Sequence, residues 1–272
     1  MHEVPRRALL LAAGMGTRLR PLTDLVPKCL VPIKGRPLIE YWMQTLLSGG
    51  VEEVLLNTHY LPDMVREFVL ASPWASRVTL SQEDLLLGTA GTLAANAAFF
   101  EGQSVLVAHA DNLTLFDLPA FSRAHASRPA GTDLTMMTFV TDVPSSCGIV
   151  TRDGRGVVNG FYEKVADPPG TMANAAVYLL APEVIRFIRS QNRRVLDLST
   201  DILPHYVGRI WPWENTSYHR DIGTLAAWRA AQSDFPGEAP SAPSPDPWNS
   251  LLDRNGAAIR AHIDRLLLDV SV

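Results

Sequence analysis

The stretch Leu9–Pro32, LLLAAGMGTRLRPLTDLVPKCLVP, decides the reading of the whole chain. An apolar run, Ala8–Ala13, opens it with the length of a buried strand and a sharp boundary at Gly14. Gly14 and Gly16 follow, and glycine lets the backbone turn tightly and another group come close. Amide N–H groups in such a loop can cradle phosphate oxygens. Thr17 adds a hydroxyl, Arg18 a planar cation suited to phosphate, and Lys28 a second cation. Together they predict a polyphosphate site at the end of the first strand. A tight turn with surface cations is the plainer alternative for the two glycines alone.

Two common phosphate patterns do not fit. The dinucleotide pattern G-x-G-x-x-G fails because its third glycine position holds Leu19, which disfavours a nicotinamide-dependent oxidoreductase. The Walker pattern fails because no Gly-Lys-Ser/Thr follows. The block instead resembles the signature of the sugar-1-phosphate nucleotidyltransferases, roughly L-A-A/G-G-x-G-T-R-L-x-P-L-T and then P-K-P-L-x-P. Cys29 stands where the second proline of P-K-P is usual. The resemblance implies an α/β fold, a Rossmann-like, mostly parallel mixed sheet flanked by helices. It also implies that Leu11, Ala12, Gly14, Gly16, Thr17, Arg18 and Lys28 bind the nucleotide, Arg18 and Lys28 through its phosphates.

Composition sets the outer limits. The 272 residues fit one large domain, or one domain with an appendage. A 47% hydrophobic, 19% charged chain can bury a sizeable core. A net charge of −4 argues against a nucleic-acid binder, yet a single nucleotide needs only a local cluster of cations. Cys29 and Cys147 cannot build a zinc site alone and read as free thiols of a reducing compartment. No apolar run approaches the ~20 residues of a membrane helix. Arg6 and Arg7 before an apolar run look superficially like a signal peptide, but the run breaks inside the glycine loop. The expected setting is the cytoplasm.

The rest of the chain alternates in a way that predicts a parallel sheet with helices on its faces. A helix is expected over Arg36–Ser48, with Leu38, Trp42 and Leu46 on one side. Strand Val51–Asn57, helix Leu61–Leu70 and strand Val78–Leu80 follow. Gly88-Thr89-Ala90-Gly91 precedes an alanine-rich helix, whose start offers free N–H groups or simply a capping turn. Ser104–Ala110 reads as a buried strand ending at Asp111-Asn112. A carboxylate there lies where open α/β sheets bind ligands, and is a metal-ligand candidate. His109 beside it reads as packed or hydrogen-bonded. Helix Asp117–His125, strand Asp133–Val140 and a hairpin around Asp153-Gly154 come next, then Glu163-Lys164, which alone reads as a solvated salt bridge. Asp197–Tyr206 and Leu225–Gln232 read as helices.

The resemblance extends to Gln232 through further motifs in the same order. L-G-T-A-G at Leu87–Gly91 implies pocket roles for Gly88 and Thr89. Asp111, with Ala110 for the usual glycine, and Asp221, in Y-H-R-D-I-G-T, would hold Mg²⁺. Lys164 would grip the sugar 1-phosphate, joined by Asn112, Gly148, Glu163 and Asn174, and Val165 replaces a usual proline. Ala176 replaces the glycine of N-A-G-x-Y. The implied partners are a nucleoside triphosphate and a sugar 1-phosphate, with Arg18, Lys28, Asp111 and Lys164 carrying the catalysis. A carboxylate can accept both guanine donors, N1–H and N2–H, whereas uracil and thymine suit an amide. Gln82 and Glu83 are adjacent and either could face the base. The block S-x-E…L-G-T-A-G looks most like mannose- and manno-heptose-1-phosphate guanylyltransferases. GTP is therefore favoured, then UTP or dTTP. A non-catalytic nucleotide-sugar sensor is the reading from another class; loss of Arg18, Lys28 or an aspartate would favour it, and none is lost.

Three segments are expected: a catalytic domain over 1–234, a Pro/Ala/Ser linker over 235–247 and a C-terminal amphipathic helix over 248–272. Trp248, Leu252, Ile259, Ile263 and Leu266 share one side of that helix, while Gly256 weakens it. Its apolar face either docks on its own core or forms a homodimer contact.

Overall fold

The computed structural model describes residues 4–100, 102–254 and 257–268. The strands are β1 (Arg7–Leu11), the two-residue β2 (Pro32–Ile33) and β3 (Arg36–Pro37), β4 (Glu53–Thr58), β5 (Val78–Gln82), β6 (Val105–His109), β7 (Asn112–Leu115), β8 (Leu134–Val140), β9 (Gly148–Arg152), β10 (Val158–Glu163), β11 (Met172–Leu180), β12 (Ile210–Glu214) and β13 (Tyr218–Asp221). The helices are α1 (Leu38–Ser48), α2 (Pro62–Ala71), α3 (Gly88–Ala95), α4 (Leu118–Ala126), α5 (Pro182–Ser190), α6 (Leu225–Asp234), α7 (Pro247–Arg254) and α8 (Ala257–Leu268). No described helix is long and apolar enough to cross a membrane.

Nine strands form one mixed sheet. Its parallel part runs β6-β1-β4-β5, with β1 at the middle. Antiparallel β11 joins β6 to β9 and β10, and β8 and β12 branch from it. The expected α/β sheet is thus observed. Strand β1 is buried on both faces, as a central parallel strand must be. Ala8 and Leu10 pack into one apolar cluster with α1, α2, α6, α7 and α8, and Leu9 and Leu11 into the other with α3 and α5.

Most expected elements stand within two residues of their observed bounds. Helix α1 starts at Leu38 rather than Arg36, because Arg36-Pro37 pairs with Pro32-Ile33 as a short ladder. Asp197–Tyr206 is not one α-helix: Asp197 caps a short π-turn, Leu198–Ile202, and a 3₁₀ turn, Leu203–Tyr206, carries Pro204. Proline cannot donate the bond an α-helix would need there. Sequence reasoning passed over helix α5 and strands β2, β3, β7, β11, β12 and β13. Strand β12 carries Pro212 in its middle, which argues against a strand, but it pairs only with β8 and proline is tolerated at such an edge.

The proline-rich stretch is tethered to the domain that carries the main sheet. Phe235 is buried and packs edge-on against Tyr41 and Tyr218, with centroids 5.4 and 5.3 Å away. Buried Arg36 donates to Glu40 (2.6 Å) and to Asp246 (2.7 Å), and Asp246 also caps α7 at the Trp248 amide (2.9 Å). The expected single C-terminal helix is described as two, α7 and α8; Gly256 lies outside the described residues. Trp248, Leu252, Ile259, Ile263 and Leu266 are all buried in the chain's own core, so the apolar face proposed for a dimer is used in cis.

Strand β11 bulges between Asn174 and Tyr178, and Ala176 there takes a left-handed φ of 53°. That conformation costs an L-residue about 1–2 kcal/mol. Ala176→Gly is therefore expected to raise stability by about 0.5–1 kcal/mol after glycine's unfolded-state entropy is subtracted, read by urea unfolding; a lower stability would mean the methyl's packing wins. His125 is buried between Thr135 and Ser104, and burial pushes its pKa down to about 3. Above its ordinary value of about 6.5 the imidazole is neutral folded or unfolded; as pH falls below that, only the unfolded chain takes the proton. Stability should therefore fall between about pH 6 and about pH 4, and His125→Asn should remove about 1.4 kcal/mol per pH unit from that slope. An unchanged slope would refute the assignment.

Candidate active site

The loop after β1 assigns different work to its two glycines. At Gly16, with φ 64°, an added Cβ would stand 2.8 Å from Thr23 Cγ2, so the turn itself requires glycine. Thr23 Oγ1 donates to the Gly16 carbonyl at 2.7 Å and closes that turn. At Gly14 an added Cβ would meet nothing within 4 Å, and the residue borders an open cleft. The loop is anchored from the next strand, where Asn57 Oδ1 accepts the Ala12 amide at 2.7 Å. Thr17 and Arg18 are exposed on a short 3₁₀ turn.

Lys28 is the centre of the site. Its side chain is 9% exposed, its Nζ pairs with Asp111 Oδ2, and Asp221 Oδ1 lies 3.4 Å away. Arg18 Nη2 stands 3.6 Å from Asp221 Oδ2, and His109 Nδ1 stands 4.0 Å from Asp111 Oδ1. The small ladder β7–β13 makes this convergence possible. It sets Asp221 opposite Asn112, and the Ile222 amide donates to the Asp111 carbonyl at 3.1 Å. Gly223 leaves the necessary room, since a Cβ there would be 2.6 Å from Asp221 Oδ2 and 2.8 Å from Arg18 Nη2. Burial alone would raise the Asp111 pKa; the charges of Lys28 and His109 and the hydrogen bonds outweigh it and hold the carboxyl below its usual range. Cys29 is buried next door with its thiol pushed up to about 12, so it is inert.

Two clefts meet at this centre and share His109 and Asp111. Leu11, Gly14, Glu83, Gly88 and Thr89 line the first. Arg18, Asn112, Gly148, Glu163, Lys164, Asn174 and Asp221 line the second. Leu11, Gly14, Glu83, Gly88 and Thr89, expected to bind the nucleotide, thus lie apart from the residues expected to hold the sugar phosphate, but Arg18, expected on the nucleotide, lines the second cleft, and Lys28 sits at Asp111 itself. Ala12 is buried behind the first cleft, and Gly16 and Thr17 shape its loop.

Gln82 lines neither cleft. Its side chain accepts from Arg66 at 2.8 Å on the outer surface, because neighbouring strand residues point to opposite faces. Glu83 turns inward and is buried. Its Oε1 accepts from Asn57 (2.9 Å) and Thr92 (2.6 Å), and its Oε2 from the Leu87 amide (3.1 Å). Gly88, φ 73°, leaves no space for a Cβ against the Leu196 backbone, and Thr89 Oγ1 donates to Asp197 at 3.0 Å. Both therefore also lock α3 onto the 196–198 segment.

In the second cleft Asn112 Nδ2 donates to the Ala175 carbonyl at 3.1 Å, fixing the bulge of β11. Asn174 donates to Tyr178 Oη at 2.7 Å and accepts the Ala176 amide at 3.0 Å. Burial pushes the Tyr178 phenol up. Gly148 faces Glu163 across β9–β10, where a side chain would meet the Phe161 ring at 3.0 Å. Lys164 is exposed, holds a left-handed φ of 50°, and places Nζ 3.4 Å from Glu163 Oε1. Non-glycine residues in that conformation cluster at functional sites, and Lys164 and Ala176 line the same cleft.

Sequence reasoning missed Asn57, Thr92 and His219. A polar residue closing the apolar run of β4 was a usable signal for Asn57. His219 lies on Phe139 with centroids 4.4 Å apart and shares a hydrogen bond with Thr114 at 2.9 Å. Burial, partly opposed by Asp111, pushes its pKa down to about 3, so it stays neutral. His109, expected to be packed or hydrogen-bonded, borders both clefts.

A family model described as nucleotidyl transferase matches residues 7–236. The chain is 30% identical to a mannose-1-phosphate guanylyltransferase of Mycobacterium tuberculosis over 264 residues, 95% of this chain and 72% of that protein. It is 36% identical to a probable mannose-1-phosphate guanylyltransferase of rice over 66% of this chain, but spans only 51% of that relative. It is 29% identical to a UTP–glucose-1-phosphate uridylyltransferase of Synechocystis, over 74% of this chain and 55% of that protein. Among solved structures, HddC of Yersinia pseudotuberculosis, crystallised with GMP-PN, superposes with a TM-score of 0.72 at 25% identity, covering 85% of this chain and 99% of that one. With the glycine loop, both aspartates and the cations in place, this chain belongs to the nucleotidyl transferase family.

Proposed function

We propose that the chain transfers a nucleotidyl group from a nucleoside triphosphate, GTP by preference, to a sugar 1-phosphate of mannose or manno-heptose type. The products are a nucleoside-diphosphate sugar and pyrophosphate. The observation that supports this is the meeting of two clefts at Asp111, the first bordered by the Gly14 loop and the second by Arg18, Lys164 and Asn174. Support for guanine comes from the mannose-1-phosphate guanylyltransferase relatives. The Synechocystis relative supports a second reading in which the base is uracil.

The nucleotide occupies the first cleft, its phosphates against the Gly14 loop. The sugar phosphate occupies the second, under Lys164. An anionic sugar-phosphate oxygen attacks the α-phosphorus in line. The new P–O bond forms as the α–β anhydride breaks, and pyrophosphate leaves with the electron pair. No general base is required, so the protein's work is positioning and charge neutralisation. Arg18 meets charge on the departing pyrophosphate, and Lys28 holds the triphosphate.

Asp111 and Asp221 would hold Mg²⁺. The two carboxylates converge on one cationic point, which suits a hard cation that binds one or two carboxylates and completes its shell with water and phosphate oxygens. No described group of three or more His, Cys, Asp and Glu side chains could hold a metal by itself, in keeping with that sparse donor set. When bound, the ion neutralises phosphate charge. A cytoplasmic setting accords with two cysteines that are both free.

Pyrophosphate release in the presence of Mg²⁺, measured for five nucleoside triphosphates against a panel of sugar 1-phosphates, tests the proposal. Turnover with GTP and a manno-configured sugar is expected. Turnover with UTP or dTTP alone would keep the reaction and overturn the base. A grid silent throughout would overturn the catalytic reading. Arg18 is largely exposed, so Arg18→Ala should fold normally yet lose on the order of 10²–10³ in kcat. Near-normal turnover would refute its role.

A further inference from the structure

We propose that Lys28 is the resident cation of the metal site, and that a divalent ion must expel its ammonium to bind. The inference deepens the reading above, in which Asp111 and Asp221 hold the metal and Lys28 holds the triphosphate. The two assignments compete, because the Lys28 ammonium is paired with Asp111 and lies 3.4 Å from Asp221. One position between two carboxylates cannot hold both an ammonium and a metal ion.

The arrangement has a physical logic. The Asp111 side chain is only 27% exposed, and a carboxylate so placed needs a counter-charge while no metal is present. Lys28 supplies it from a side chain that is 9% exposed, and Arg18 helps on the open side of Asp221 at 3.6 Å. When a divalent ion takes over the carboxylates, the ammonium loses its partners. Its nearest anionic replacement is the triphosphate beside the Gly14 loop. Metal binding therefore moves a positive charge from the carboxylates to the nucleotide, and the two substrates of this locus, ion and triphosphate, favour one another.

The residue type agrees with this role. Only three of the chain's 24 basic residues are lysine, Lys28, Lys34 and Lys164, and the rest are arginine. A lysine ammonium is a compact point charge on a flexible stem and can leave without breaking a planar fork. Arginine, the cation this chain uses elsewhere, would chelate a carboxylate through two parallel bonds and resist displacement.

The shortage of lysines also supplies the test. Lys34 pairs with the Phe235 carbonyl at 2.7 Å and serves as an internal reference. The wild-type chain, without nucleotide or sugar phosphate, is treated with an amine-acylating reagent in the presence and absence of Mn²⁺, and each lysine's labelling is read by peptide mass spectrometry. Mn²⁺ should raise the labelling of Lys28 several-fold relative to Lys34. In parallel, Mn²⁺ binding is measured by electron paramagnetic resonance for wild type and Lys28→Met. The variant, which keeps the stem and loses the charge, should bind Mn²⁺ tighter by on the order of tenfold or more. Lys28 labelling that Mn²⁺ leaves unchanged or lowers, Mn²⁺ affinity no higher in the variant, or no Mn²⁺ binding by either chain would each overturn the proposal. The labelling arm needs no variant, so misfolding of Lys28→Met leaves a decisive readout. Neither arm measures turnover, so a silent pyrophosphate assay with Lys28 still expelled by Mn²⁺ would sink the catalytic reading and leave displacement standing.

Discussion

A buried ammonium between two carboxylates constrains the rest of this structure. An unpaired lysine in such a place would cost several kcal/mol, so Lys28 obliges Asp111 and Asp221 to arrive together. Asp111 comes from the end of a central parallel strand. Asp221 comes from a two-stranded ladder outside the main sheet. Their meeting fixes where β7 and β13 lie, how β11 must bulge to meet Asn112, and why residue 223 has no side chain. The glycine loop, the two clefts and the left-handed residues at their rim are arranged around that one electrostatic requirement.

The C-terminal region answers a different demand. The face of the sheet that carries α1 and α2 is broad and apolar, and α6 alone does not cover it. Helices α7 and α8 complete the cover, with Trp248 packed edge-on against Phe68 at 6.4 Å. Arg36 links this cover to α1 and the main sheet through Glu40 and Asp246. Burial pushes the Arg36 pKa down and the Glu40 pKa up; the carboxylates of Glu40 and Asp246 more than reverse the shift at Arg36, whereas at Glu40 burial outweighs the guanidinium. The proline-rich stretch is therefore a strap with fixed anchor points, and its composition, which reads as a flexible linker, reports only its lack of regular structure.

Local patterns carried most of the fold. The run Ala8–Ala13, the glycines after it and the spacing of Leu38, Trp42 and Leu46 each depend on neighbours in sequence and are readable from them. Strands β7 and β13 were not readable, because four polar-apolar residues have no preference until a partner about a hundred positions away supplies the ladder. Of Gln82 and Glu83, period-two alternation shows that only one can face the cleft, but not which; the phase is set by packing of β5 on α2. Asp197–Tyr206 has helical composition, yet a capping aspartate and Pro204 divide it into tighter and wider turns. The residues of the candidate site were legible through a motif resemblance, while their division between two clefts needed the folded chain.

The sequence distance across the central ion pairs has a consequence for synthesis. Lys28 and Asp221 lie 193 positions apart, and Asp111 falls between them. Chains emerge from the ribosome amino-terminus first, and their early segments can collapse before later ones exist. The glycine loop and the first parallel strands can thus assemble while Asp221 is still unmade. Until it arrives, Lys28 has only one of its carboxylate partners and the second cleft lacks His219 and Asp221. A nascent chain of this protein gains its complete charge cluster only once residue 221 has emerged, well after the glycine loop and the first parallel strands.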